Sequence, residues 1–200
     1  KDEGNLRNKP EKNFSIPPPK SIDTLIFWTG FGIDGVFTVT IVLMWAEVSG
    51  PQLAMIIGAS ILAIRRLSEM ILAPLSGQIS DRLGSGLPLT VMLVLCAAGF
   101  CLVGSGALLI GCVLLVLCRG ALGTLFPAAA SKLYPEQRIS SLTRNQTWRD
   151  IGAAIGPFLT GVLLVVFSPE AIHLITMGCF LIALGWFFFS GDFRRLSTRL

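Results

Sequence analysis

Six apolar stretches limit what this chain can fold into, and several of them carry charges. The first, Thr24 to Ala46, runs for 23 residues with Asp34 at its centre. At about 1.5 Å rise per residue, a helix of that length matches the roughly 30 Å hydrocarbon layer of a bilayer. The six predicted spans are 23–46, 53–75, 88–104, 107–128, 148–167 and 171–190. Arg65, Arg66 and Glu69 lie inside the second, and Arg119 inside the fourth. A charge in mid-membrane costs roughly 3 kcal/mol on insertion scales, so it faces protein or a watery cavity and marks a path for an ion or solute. The expected fold class is an all-α integral membrane protein with six transmembrane helices.

Composition supports this. Hydrophobic residues make up 52% of the chain and charged residues only 14%, against about 25% charged in soluble domains. Mean hydropathy is +0.72 and the pI is near 9.0. The basic residues collect in the gaps between apolar stretches and form no single solvated face, which argues for a lipid bilayer and against nucleic acid as the partner. Three segments follow: a basic, proline-containing linker at 1–22, a six-helix bundle at 23–190, and a tail at 191–200. The linker carries Lys1, Arg7, Lys9, Lys12 and Lys20.

The charges also set the expected orientation. With the N-terminal segment in the cytoplasm, that side holds the linker charges, Arg82, Lys132, Arg138, Arg144, Arg149, Arg194, Arg195 and Arg199. The opposite loops at 47–52, 104–106 and 168–170 contain no Lys or Arg. The positive-inside rule then places both termini in the cytoplasm. The third and sixth spans have no interior charge. They are expected to face lipid, with Leu93 outward, while the first, second, fourth and fifth pack inward. His173 is read as peripheral, at the outer edge of the sixth span.

Between the second and third spans stands Gly77-Gln78-Ile79-Ser80-Asp81-Arg82-Leu83-Gly84, a G-x-x-x-D-R-x-G spacing at a predicted cytoplasmic turn. Gly77 is read as allowing a close helix approach and Gly84 as permitting a tight turn, while Asp81 can accept hydrogen bonds from a helix N-terminus. The segment resembles the signature loop of the major facilitator superfamily. Its members have twelve helices in two six-helix halves, and the loop recurs in degraded form in the second. Ser85-Gly86 stands where a basic pair usually follows, which favours the second-half copy. The resemblance implies that Gly77, Asp81, Arg82 and Gly84 form a charge latch that holds one conformation.

The fifth span contains Gly152, Gly156, Pro157 and Gly161. Gly152 and Gly156 make a small-xxx-small face for helix packing, and Pro157 removes one backbone hydrogen bond. The G-x-x-x-G-P-x-x-G order resembles the superfamily's fifth-helix motif and its eleventh-helix counterpart. The opening Trp148-Arg149-Asp150 looks more like the eleventh. Val162 stands where the motif ends in glycine, so the motif alone assigns no antiport.

The deep charges are the candidate substrate or ion pathway. Glu69 is i+4 from Arg65 and i+3 from Arg66, so one intrahelical pair is expected. One Arg is left over, and Asp34 is its obvious counter-charge. Gly30 and Thr38 lie one turn either side of Asp34. Asp34 either carries a proton or cationic solute, or neutralises an Arg. Arg119 precedes Gly123 by four and Pro127 by eight, loosely similar to the superfamily's fourth helix, where such an Arg is linked to proton coupling. Arg119 either faces the central cavity or pairs with a carbonyl or carboxylate. The five cysteines have no metal-ligand spacing, and no cofactor, metal site or hydrolytic constellation is expected.

Residues 21–190 thus resemble one half of a major facilitator transporter, the C-terminal half being favoured. The implied function is secondary active transport of a small solute by alternating access, with a proton as candidate coupling ion and no enzymatic step. The expected setting is the plasma or inner membrane. The partner is a missing N-terminal half or a second copy. The alternative is a membrane receptor or scaffold that keeps the fold without transporting.

Overall fold

The computed structural model describes residues 18–197, which form six long helices and two short ones. The long ones are α1 (Ser21–Ser49), α2 (Pro51–Leu83), α3 (Gly86–Gly104), α4 (Leu108–Leu133), α5 (Arg138–Leu163) and α6 (Pro169–Phe189). A short 3₁₀ turn at Pro135–Gln137 precedes α5, and a short helix α7 (Asp192–Ser197) follows α6. Consecutive helices run back and forth because their connections are tight. Gly50, with φ +84, lets α1 turn into α2, whose first residue is Pro51. Gly84, with φ +77, does the same between α2 and α3, in the left-handed region that glycine tolerates without strain.

Four helices, α1, α3, α4 and α6, are long and apolar enough to cross a membrane. By that measure α2 and α5 fall short. Arg65, Arg66 and Glu69 interrupt α2, and the first ten residues of α5 are mostly polar. The predicted boundaries shift for the same reason. Helix α5 starts at Arg138, not at 148, since a polar helix extending past the apolar layer leaves no hydropathy signal. Helix α1 starts at Ser21, so Ser21 and Ile22 leave the predicted linker and are buried. Most of the predicted tail is α7, which buries Asp192 and Leu196. The linker at 1–17 and residues 198–200 lie outside the described residues.

Burial overturns the predicted inner and outer sets. Leu93 is fully buried, along with Leu89, Cys96 and Phe100 on α3 and Phe180 and Phe187 on α6. They join Leu115, Cys118 and Leu122 of α4 in one core. Helix α3 keeps only part of its surface outward, at Leu87, Val91 and Val94. By contrast, α2 buries only Ala54, Gly58, Arg65, Ser68, Ser76 and Ser80, and α5 buries a similar stripe of small and polar residues. The sorting by charge failed because an all-apolar helix packs as well against a helix as against lipid. His173 is also not peripheral. It is completely buried, its Nε2 lies 2.8 Å from the Thr40 hydroxyl, and its ring sits near those of Phe37 and Phe100.

Two features of α1 position the site. Residues Gly30–Phe37 wind as a π-helical stretch, with i→i+5 bonding. The Thr38 hydroxyl donates to the carbonyl of Ile33, five residues back, at 3.1 Å. The same stretch meets α5 backbone to backbone. A Cβ added at Gly35 would lie 2.6 Å from the Gly156 Cα and 3.2 Å from Pro157 Cδ. One at Gly156 would lie 2.8 Å from the Phe31 carbonyl oxygen, one at Gly152 would collide with the Phe27 carbonyl, and one at Gly30 with that of Arg149. So Gly152, Gly156 and Pro157 pack a helix seam. Gly161 does not, since a Cβ there meets open space.

Candidate substrate cavity

Asp34, Arg65 and Arg119 come from three helices and meet near the middle of each. Asp34 projects from the π-helical stretch of α1, Arg65 from α2 and Arg119 from α4. The Asp34 Oδ1 accepts from Arg65 Nη2 and, at 3.0 Å, from Arg119 Nε. All three side chains are about nine-tenths buried, at 10–12% exposure. Arg65 is further held by the Thr38 hydroxyl, 3.5 Å from its Nη1, and by Glu69, whose Oε1 is 3.4 Å from its Nε. Glu69 also takes Arg66 Nη1 at 2.9 Å, but Arg66 itself is 75% exposed. Of the two readings of Asp34, the geometry matches the counter-ion to guanidinium groups. Arg119 satisfies both of its readings, since it binds a carboxylate and also lines a cavity.

That cavity has a volume of about 480 Å³. It is lined by Asp34, Arg65, Arg66, Glu69 and Arg119, the five deep charges read from the sequence, together with Ala73, Gly120, Gly123, Thr124 and Arg149. Its size falls in the range of ligand pockets, roughly 300–1,000 Å³. Gly120 is there for packing: a Cβ would lie 2.9 Å from the Ser68 carbonyl oxygen of α2. At Gly123 a Cβ would approach only Arg119 Nη1, at 3.4 Å. Arg149 reads in the sequence as a charge at a helix boundary and as part of the Trp148-Arg149-Asp150 opening, not as a cavity residue. The structure turns it into the cavity wall, with Asp150 Oδ1 2.7 Å from its Nη2. The available signal was its position just ahead of Gly152, on the helix whose glycines meet α1.

The sequence profile of the Major Facilitator Superfamily matches residues 24–198. The chain belongs to this superfamily. No curated protein matches the chain. The protein is therefore an integral membrane transporter, all-α, and its six long helices fit one half of a major facilitator fold.

The signature loop of this transporter looks different in three dimensions from its sequence reading. Gly84 makes the expected turn. A Cβ at Gly77 would only touch Thr124 Cγ2 at 3.7 Å, an ordinary contact, so no close approach within this chain requires that glycine. Asp81 and Arg82 are exposed and make no ion pair among the described residues. The buried charge at this end lies elsewhere. Asp23 of α1 is completely buried, and its Oδ2 is 2.5 Å from Arg144 Nε of α5. The same oxygen takes the Lys20 backbone N–H at 3.0 Å, and Oδ1 takes Asn145 Nδ2 at 3.4 Å. Ser21 donates to Asp192 of α7, and Lys20 Nζ sits 3.6 Å from the centre of the Tyr134 ring. Burial, and then the nearby Arg144 charge, hold the Lys20 ammonium below its ordinary range. Hydropathy could not reveal this network, because Asp23 and Arg144 flank apolar stretches and each reads singly as a solvated end.

Proposed function

We propose that the transporter carries a small solute through the Asp34–Arg65–Arg119 cavity by alternating access, as a secondary active transporter. The observation that carries this is a cluster of buried charges at mid-helix that opens into a ligand-sized cavity and is not sealed in the core. A purely structural ion pair has no need of the adjoining space. Rocking of two halves about such a midplane site is how folds of this kind expose it to each side in turn. In this reading all six long helices cross the membrane with both termini cytoplasmic, in keeping with the one-sided basic residues. A second six-helix half closes the cavity along α2 and α5, which bury only narrow stripes here. Exposed Asp81 and Arg82 engage that half as the latch.

Solute counterflow in proteoliposomes tests the proposal. Asp34→Asn in the full-length protein should abolish counterflow while leaving membrane insertion normal. Inserted wild-type protein that binds a solute without moving it would favour the receptor or scaffold reading.

A further inference from the structure

The charge lining the cavity is unbalanced. Four guanidinium groups (Arg65, Arg66, Arg119 and Arg149) face two carboxylates (Asp34 and Glu69), an excess of two positive charges. Asp150, which does not line the cavity, takes up Arg149 from outside, so at least one positive charge stays uncompensated. The central carboxylate, Asp34, already has one oxygen, Oδ1, shared by two arginines. A cationic solute at that carboxylate would sit against two guanidinium groups of like charge. A neutral solute would leave the excess positive charge facing only water, whereas an anion would pair with it directly.

We infer that the solute is a small oxyanion, a carboxylate or phosphate compound, bound through Arg119 beside Gly123 and Thr124, with Arg149 adding positive charge to the same cavity. This deepens, and rests on, the transport reading of the same cavity. Arg119 spends its Nε on Asp34, and its two Nη groups make no hydrogen bond among the described residues. A guanidinium held in this way presents a planar, oriented pair of donors, the geometry that matches a carboxylate or phosphate edge. Asp34 is then a positioning residue. It fixes the plane of Arg119 and leaves the outer edge of the fork for the ligand. Gly123 gives the ligand room beside Nη1, where its absent side chain leaves the backbone bare. Thr124 lines the same cavity.

The test is thermal stabilisation of the purified full-length protein by inorganic phosphate, succinate, choline and glucose. Phosphate, succinate or both should raise the unfolding temperature, and choline and glucose should not. Arg119→Gln should weaken the anion effect about tenfold or more, the size of one lost charge-assisted hydrogen bond. Arg119→Lys, which keeps the charge but not the fork, should fall between. If Arg119→Gln does not fold, Arg149→Gln, at a less buried position, carries the test. Stabilisation by neither anion overturns the inference, as does stabilisation by choline or glucose alone, or an anion effect unchanged in the Arg variants. Counterflow separates the two readings. Anion binding without counterflow would leave the site standing and sink the transport reading, whereas counterflow of choline or glucose would keep transport and sink the anion.

Discussion

Two buried carboxylates on one helix, Asp23 and Asp34, make the same kind of bond in different surroundings. Asp23 is sealed. It has no exposed surface, it meets a single guanidinium, and its remaining acceptor sites are taken by the Lys20 N–H and Asn145. Asp34 is open. It meets two guanidiniums through one oxygen and stands in the wall of a 480 Å³ cavity. Burial and ion pairing alone therefore do not distinguish a sealed pair from one that borders a cavity. The distinguishing features are whether both carboxylate oxygens are engaged and whether there is space beside them.

The sharpest way to break this contrast is Asp23→Asn. It leaves Arg144 buried without a counter-charge, and Arg144 Nη2 already has no hydrogen-bond partner. Loss of one member of a buried pair typically costs about 3–5 kcal/mol, and the sealed site belongs at the upper end. Thermal unfolding should show it, with counterflow retained by whatever fraction stays folded. If Asp23→Asn costs no more than Asp34→Asn, the sealed and open sites are not different in kind.

Gly156→Val comes next. The added carbons would press on the Gly35 Cα and the Phe31 carbonyl, and backbone cannot step aside as a side chain can. A loss of about 3 kcal/mol is expected, the upper end for overpacking, and both carboxylate sites should suffer because both sit on α1. Gly161→Val, which meets open space within this chain, is the control and should cost clearly less.

Asp34→Asn should be milder for stability, about 2–3 kcal/mol, since water in the cavity can hydrate the released guanidiniums. Its effect on counterflow should be complete. Asp34→Asn with Arg65→Gln should regain part of the lost stability. Asp34→Asn with Arg66→Gln should not, because Arg66 bonds to Glu69 and not to Asp34. Equal recovery by both pairs would mean that net charge, not the Asp34–Arg65 contact, sets the energy.

The smallest effect concerns the sealed end. Burial, then the neighbouring Asp192 carboxylate, push the Tyr134 phenol up to about 12. An unfolded tyrosine ionises near 10. Its contribution to stability is thus complete below about pH 10 and is lost as pH rises towards 12. Tyr134→Phe should flatten the alkaline decline measured by unfolding temperature. An unchanged decline would show that ionisation of Tyr134 does not weaken the fold in this range.

The contrast also shows what a sequence can disclose. A charge inside an apolar stretch stands out, so Asp34, Arg65, Arg66, Glu69 and Arg119 were all visible as candidates, and all five line one cavity. Gly152 and Gly156 were visible as a pair, but their partners Gly30 and Gly35 were not, because five-residue spacing suggests no face on a regular helix. Arg144 and Asp23 were invisible as partners, since residues 121 positions apart share no local pattern. The lipid-facing helices were misjudged because hydropathy reports how apolar a helix is, not what lies against it.

The π-helical stretch of α1 explains how the two carboxylates part company. Asp23 and Asp34 are eleven positions apart, which in regular winding is about three turns and would return both to one side of the helix. Between them the helix widens from Gly30 onward, and the angular phase slips. Asp23 then points to Arg144 of α5, while Asp34 points to Arg65 of α2 and Arg119 of α4. A single helical wheel drawn through α1 cannot place both. One helix thus serves two addresses, one that holds the bundle shut and one that opens on the cavity, and the slip in winding keeps them separate.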